Sequence, residues 1–374
     1  MGTYYKILPE NLNCKGFQYQ EGLNIDTNEI DEDEYSYGLH FVDVVETFLF
    51  SSYGTMIAEV EIPDNAVVYH FDDCGSIPAR SKADRIILKD IRPLWCVATM
   101  EALIQEGVNF ESCKDDVLYE AANNGHLDIV EFADQRGASY NMGEYSAVCI
   151  ASAKGHTDIV KYLLDHGANP NIYNDYALRT ACIKGYFEIV KCLVEHGANV
   201  NAHDDDALRL ACAHGYFDIV KYLVERGSNI HAENDEALIE ASYNGHLEIV
   251  EYLIEQGADI HAMDDEALCN ASFASSSDIV KCLVEHGANI HAQNDFPLCY
   301  SAGYGRLNTV RYLVGQGVDI HTNDDYPLFV ASKEGYFDIV KYLVRHGANV
   351  HAKNDRAIKF ADSTEIRNYL MSRK

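Results

Sequence analysis

Residues 214–238 read HGYFDIVKYLVERGSNIHAENDEAL. Residues 184–208, thirty places upstream, read KGYFEIVKCLVEHGANVNAHDDDAL, and residues 244–268, thirty downstream, read NGHLEIVEYLIEQGADIHAMDDEAL. Glycine stands at 107, 137, 167, 197, 227, 257, 287, 317 and 347. A second glycine row runs through Gly125, Gly155, Gly185, Gly215 and Gly245, is broken by Ser275, and resumes at Gly305 and Gly335. A fixed period of this length is the signature of supersecondary units stacked in a row, so the period decides the fold.

Within one copy, Ile219, Val220, Leu223 and Val224 form the apolar stripe of a helix buried on one face. Asp218 in its first turn and Arg226 in its last suit the helix dipole. Gly227 follows, where a left-handed residue ends a helix without a Cβ penalty. A shorter helix precedes it in EALIEASYNG, 236–245, with Ala237, Leu238, Ala241 and Ser242 turned inward. Pro297 and Pro327 occupy the Ala237 position, which fits a first helical turn. An aspartate row (Asp115, Asp175, Asp205, Asp235, Asp265, Asp295, Asp325, Asp355) stands just before, and we expect these side chains to cap the helix N-termini. Each unit is helix–turn–helix–loop. It cannot bury its apolar face alone, so neighbours must stack. Eight full units fill 121–360, behind a leading piece at 91–120 and ahead of a capping helix at 361–374. The expected fold is mainly α, a solenoid of thirty-residue units. The copy SFASSSDIV, 272–280, puts Ser275, Ser276 and Ser277 where the others have the turn glycine and its followers, which reads either as a locally softer or bent unit or as a tolerated variant.

The stretches GANVNA, A-L-x-x-A and A-x-x-G-H-x-x-I-V-K-Y-L-L resemble the ankyrin repeat over residues 92–374. That resemblance implies a helical solenoid whose concave face holds a protein partner. Its usual period is about 33. The residues missing here fall in the loop, so the projecting fingers should be short.

Residues 1–90 carry no trace of the period. GTMIAEVEIP and NAVVYHF alternate like strands, with Pro63, Asp64 and Asn65 as the turn between them. FVDVVETFLF, 41–50, has helical spacing, and TNEIDEDEYS is an acidic loop. A small α+β domain is expected over 1–90, ahead of the array at 91–374. CKGFQYQEG, YGLHF and ADRIILKDIRPL resemble a small domain of unknown function found ahead of ankyrin arrays in proteins of large DNA viruses, so the whole chain is similar to the ankyrin-repeat proteins of giant viruses.

Acidic residues outnumber basic ones 59 to 29, for a net charge of −30. Such a chain repels phosphate backbones and anionic membrane surfaces, so neither nucleic acid nor membrane is expected as a partner. No apolar run approaches the roughly 18 residues of a membrane-spanning helix, and the N-terminus reads as no secretory signal. Gly2 is not followed by the Ser or Thr of a myristoylation motif, since Lys6 stands there. The cysteines number 11 and form no C-x-x-C pair. Cys182 and Cys212 share a row with Ala122, Ser152 and Ala302, so they read as small core residues with free thiols, in keeping with an intracellular setting.

No phosphate-binding, zinc-protease or nucleophile-elbow motif occurs, and no cofactor is expected. His40, Asp43 and Cys14 are the one set from which a catalytic site in residues 1–90 could be imagined. The ladder His231, His261, His291, His321, His351 cannot chelate, because stacked helices lie about 8–10 Å apart and zinc–nitrogen bonds are about 2.0–2.1 Å. Asn141, Asn171 and Asn201 share that row, so it calls for a residue that hydrogen-bonds locally. His166, His196, His286 and His346 precede the glycine row and suit helix C-termini.

Function is expected in the rows that vary from unit to unit while Leu178, Leu208, Leu238, Leu268, Leu298 and Leu328 stay fixed. Tyr176, Asp206, Glu233, Glu236 and Glu266 make the middle of the array aromatic and acidic. Tyr243, Phe273, Phe296, Tyr304 and Tyr326 then add rings, which are enriched at interface hot spots. The expected activity is non-enzymatic binding of a protein with a basic, partly apolar surface, by a monomer. Two rivals are an adaptor for ubiquitin ligation, which should carry an F-box-like segment where only ADSTEIRNYLMSRK stands, and an enzyme in residues 1–90 that the array would target.

Overall fold

The computed structural model describes residues 4–14, 16–28, 38–43, 54–71, 80–142, 145–274 and 276–373. The chain forms two compact bodies, Met1–Ile172 and Tyr173–Lys374.

Among the described residues the N-terminal body begins with nine strands: β1 (Tyr4–Leu8), β2 (Asn13–Cys14), β3 (Phe17–Gln18), β4 (Gly22–Ile25), β5 (Leu39–Asp43), β6 (Met56–Glu61), β7 (Val68–Phe71), β8 (Arg80–Ala83) and β9 (Arg85–Pro93). Seven form one sheet in the order β4-β9-β6-β1-β5-β8-β7, and β2 and β3 form a hairpin. Tyr5 faces Glu59, and Glu59 faces Lys89, in antiparallel pairing. Leu8, Phe41, Val60, Ile86 and Leu88 pack on one face of the sheet, and the rings of Tyr19 and Phe17 close over them. The strands expected at 54–63 and 65–71 form, and Ala66 N–H donates to the Pro63 carbonyl at 2.9 Å in the turn between them. They do not pair with each other: β6 lies between β1 and β9, and β7 lies beside β8. The helix expected at 41–50 is corrected at its start. Residues 41–43 belong to β5, because Leu39 and Phe41 share one buried face of a strand that pairs with β8. Residues 44–50, like most of the acidic loop, lie outside the described residues.

Helices follow from Val97–Gln105 onward. In the same body the Tyr5 hydroxyl donates to the Glu106 carboxylate, and Arg92 reaches the same group at 3.3 Å, tying sheet to first helix. Asn141–Met142 pairs antiparallel with Tyr145–Ser146.

The C-terminal body is built of the repeating helix pair, for example Glu236–Asn244 and Leu247–Glu255. Ala237, Leu238, Ala241 and Ser242 of the first helix are buried, as are Ile249, Val250 and Leu253 of the second. First helices carry small inward residues, so adjacent first helices lie closer together than adjacent second helices, and the first-helix row forms the inner side of the stack. The first helix ends at Gly245 with φ +87, as the glycine rows require. At Gly185 a Cβ would meet the Tyr216 ring of the next unit at 2.3 Å, so that glycine is needed for close approach as well.

The aspartate row does not cap helices. Asp235 sits at φ +60, and no amide of its own helix bonds to its side chain. A side-chain cap needs extended backbone, which directs the oxygen over the first turn; left-handed backbone directs it away. Instead, Asp235 Oδ1 accepts the backbone N–H of Asp259 at 2.8 Å, in the loop of the next unit. Asp115, Asp175, Asp205, Asp265 and Asp325 accept the amides of Ser139, Asn199, Asn229, Asn289 and Asn349 in the same way, at 2.7–3.0 Å. His231, His261, His291, His321 and His351 each place Nδ1 at 2.6–3.1 Å from the aspartate four residues on. His166, His196, His286 and His346 each place Nδ1 on the carbonyl four residues back, in the last turn of the second helix.

The loop is short because three successive residues turn left-handed: Tyr173–Asp175, His203–Asp205, Glu233–Asp235 and their counterparts down to Lys353–Asp355. Left-handed backbone costs an ordinary residue roughly 1–2 kcal/mol, least for Asn and Asp. The last two positions of each triplet are Asn or Asp throughout. A hydrogen bond to a charged group contributes about 1.5–3 kcal/mol, enough to offset much of the remaining cost.

In the unit with the serines, Ser275 lies outside the described residues. Its first helix ends at Phe273, followed by Ala274 in extended backbone rather than a left-handed glycine. Next to Gly245 stands the Ser276 hydroxyl, where Gly215 has the His246 ring.

Candidate functional site

On the inner row of the C-terminal body, the residue after each left-handed triplet opens the first helix. Its side chain is held at the surface because the next two, such as Ala237 and Leu238, are buried. Positions four and seven further on share that helical face. Glu236, Glu240 and Tyr243 therefore line up on one helix, and Glu266, Asn270 and Phe273 on the next.

The structure brings Glu236, Tyr243 and Glu266 together around a cavity of about 350 Å³, completed by Ile239, Glu240, Met263 and Asn270. Tyr243 is 45% exposed and Met263 57%, so the walls offer an aromatic face and a thioether to solvent. Burial, and then the charge of Glu240, holds the Glu236 carboxyl above its ordinary range, with Glu233 and Glu266 adding to it and Arg209 opposing. Glu266 accepts a hydrogen bond from Gln293 Nε2 at 2.6 Å. Glu233 stands exposed in the left-handed turn beside Glu236.

From the cavity the rings continue along the row. Tyr243 stacks on Phe273 at 5.6 Å, Phe273 meets Tyr304 edge-on at 4.3 Å, and Phe296 meets Tyr300 at 4.8 Å. Phe296 and Tyr304 remain 37% and 45% exposed. Tyr326 lies further on, 5.7 Å from Phe329. Two expected residues stand apart. The Asp206 carboxylate is held between Arg179 at 2.5 Å and Arg209 at 2.8 Å, so its charge is spent inside the array. Tyr176 is exposed two units before the cavity. Column-by-column reading missed Ile239, Glu240, Asn270 and Tyr300, which lie three or four residues along the same helices from the expected positions.

Among the described residues no group of His, Cys, Asp and Glu could hold a metal ion. All ten described cysteines are free thiols. Cys269 and Cys299 are buried packing residues, and burial pushes their thiols up to about 12. In the N-terminal body His40 and Asp43 lie on β5, and Cys14, on the hairpin, packs against the sheet core.

The family model for ankyrin repeats matches this chain in overlapping segments, 96–174, 173–234, 204–264, 230–294 and 268–354, which together span well over half of it. The chain belongs to the ankyrin-repeat family. It is also similar to an ankyrin repeat protein of Acanthamoeba polyphaga mimivirus, 30% identical over 133 residues, 34% of this chain and 64% of that protein. The match spans just under two thirds of that relative's length. Ankyrin arrays are typically non-enzymatic protein-interaction scaffolds, and the candidate site is a groove with a ring-lined extension on the first helices of such an array. Among the described residues no helix is long and apolar enough to cross a membrane.

Proposed function

We propose that this ankyrin array is a non-enzymatic scaffold that holds a protein partner on the inner face of its C-terminal body, with 1–90 a separate small domain and 91–374 the binding array. The partner presents a basic, partly apolar surface. One observation carries this reading: Glu236, Glu240 and Glu266 share a cavity with Tyr243 and Met263, and half-exposed rings extend from it. A cation resting there meets carboxylates and an aromatic face together, and rings of this kind dominate interface energetics. The free thiols support an intracellular setting.

The test places a photocrosslinking residue at Tyr243, at Phe273 or, as control, at exposed Lys221 on a second helix, in the full chain mixed with lysate of candidate host cells. Crosslinks from positions 243 and 273 to one protein, weakened by Glu236→Arg with Glu266→Arg and by added salt, are the expected result. Equal crosslinking from Lys221, or indifference to charge reversal and salt, overturns it.

A further inference from the structure

The inner row has a charge order as well as a composition. Its middle holds the carboxylates of Glu236 and Glu266. Rings follow, and four units beyond Glu236 stands Arg356, whose guanidinium lies 3.5 Å from the Phe329 ring centre and 5.5 Å from that of Tyr326. Among the described residues Arg356 has no carboxylate within ion-pair distance. Beside it Phe360 is 60% exposed and meets Phe329 edge-on at 6.1 Å. The row thus runs from anionic to aromatic to cationic.

Resting on the function proposed above, we infer that its occupant is an extended peptide segment of one charge order, with a basic side chain at the Glu236–Glu266 cavity, apolar side chains over the rings, and a carboxylate at Arg356. Four steps of stacked helices at about 8–10 Å cover roughly 32–40 Å. An extended chain rises about 3.3 Å per residue, so about a dozen residues span the row, whereas a helix at 1.5 Å per residue needs more than twenty. A reversed charge order would place like charges together at both ends, which disfavours the opposite orientation.

The test pans a displayed library of random 12-residue peptides on the full chain. The expected consensus carries Arg or Lys near one end, Asp or Glu near the other, and apolar residues between. Glu236→Gln with Glu266→Gln should weaken the selected peptide at least tenfold, and Arg356→Gln several-fold. In double-mutant cycles the first pair should couple only to the peptide's basic residue, and Arg356 only to its acidic residue. No enriched peptide, a consensus lacking opposite charges, or absent coupling overturns the inference. Peptides lost on Tyr243→Ser with Tyr304→Ser but indifferent to the charge variants overturn the charge order and leave the docking face standing. Peptides that bind this serine variant as well as the parent overturn the docking face itself. Circular dichroism of each variant separates lost binding from lost folding.

Discussion

Asp235 is buried, sits in left-handed backbone and has an aspartate counterpart in every full unit of the C-terminal body. Glu236, the next residue, is half-buried, opens a helix, and is replaced by Tyr176, Asp206, Glu266, Phe296, Tyr326 and Arg356 in its sister units. One peptide bond separates a side chain turned to the neighbouring unit from one turned to solvent. The first position is fixed because it closes the left-handed triplet in every unit and, at Asp175, Asp205, Asp235, Asp265 and Asp325, grips the next unit. The second is free to differ because no contact common to all the units depends on it: Asp206 is paired with Arg179 and Arg209, while Tyr176 stands exposed. Architecture and recognition are interleaved along the same few residues.

The comparison breaks most visibly at the fixed rows. Leu238→Ala removes a side chain that is 1% exposed, and should lower unfolding free energy by about 3 kcal/mol. Asp235→Ala strips the Asp259 amide and the His231 ring of their acceptor while keeping strained backbone, and should cost about 2 kcal/mol. Glu236→Ala should stay within about 0.5 kcal/mol of the parent in the same urea titrations, and a loss as large as that of Asp235→Ala would erase the distinction between the rows.

A gain is expected where a buried row of small residues carries a polar group it cannot use. Among the described residues the hydroxyls of Ser242, Ser272 and Ser332 are buried without a hydrogen-bond partner, in a row where Ala302 also stands. Ser242→Ala and Ser272→Ala should each raise stability by up to about 1 kcal/mol, read as a higher urea midpoint with unchanged slope.

The smallest effect concerns pH. Glu236 titrates above its ordinary value of 4.5 in the folded state, so between that value and its folded value the folded chain holds a proton that the unfolded chain has released. Its contribution to stability is present below 4.5 and is lost as pH rises through the folded value. Glu236→Gln should therefore unfold at a higher urea concentration than the parent at pH 7, with the difference shrinking as pH falls toward 4.

Much of this was legible in the sequence. The period, both helices of each unit, the closing glycines and the carbonyl-binding histidines follow from local chemistry repeated often enough to be unmistakable. The direction of the aspartates did not, because a capping residue and a left-handed residue draw on the same amino acids, Asn and Asp. The sign that could have separated them was their doubling: NDD and END runs suit consecutive left-handed backbone better than a single cap. Strand pairing in the N-terminal body was invisible for a different reason, since β6 finds its partners in β1 and β9 and no local pattern encodes that choice. At the site, comparing columns found Glu236, Tyr243 and Glu266, while Glu240 and Asn270 needed the helix to be wound before they joined the same wall.

Each aspartate tie reaches 24 residues ahead and stops there, at the adjoining unit. Shifting the chain by one residue between Asp235 and Asp259 would unfasten that joint, whereas deleting or doubling thirty residues leaves every joint with an intact counterpart. Length in this protein is thus quantised: the gene can change it by whole copies far more safely than by single codons, and every added copy brings its own set of variable positions with it.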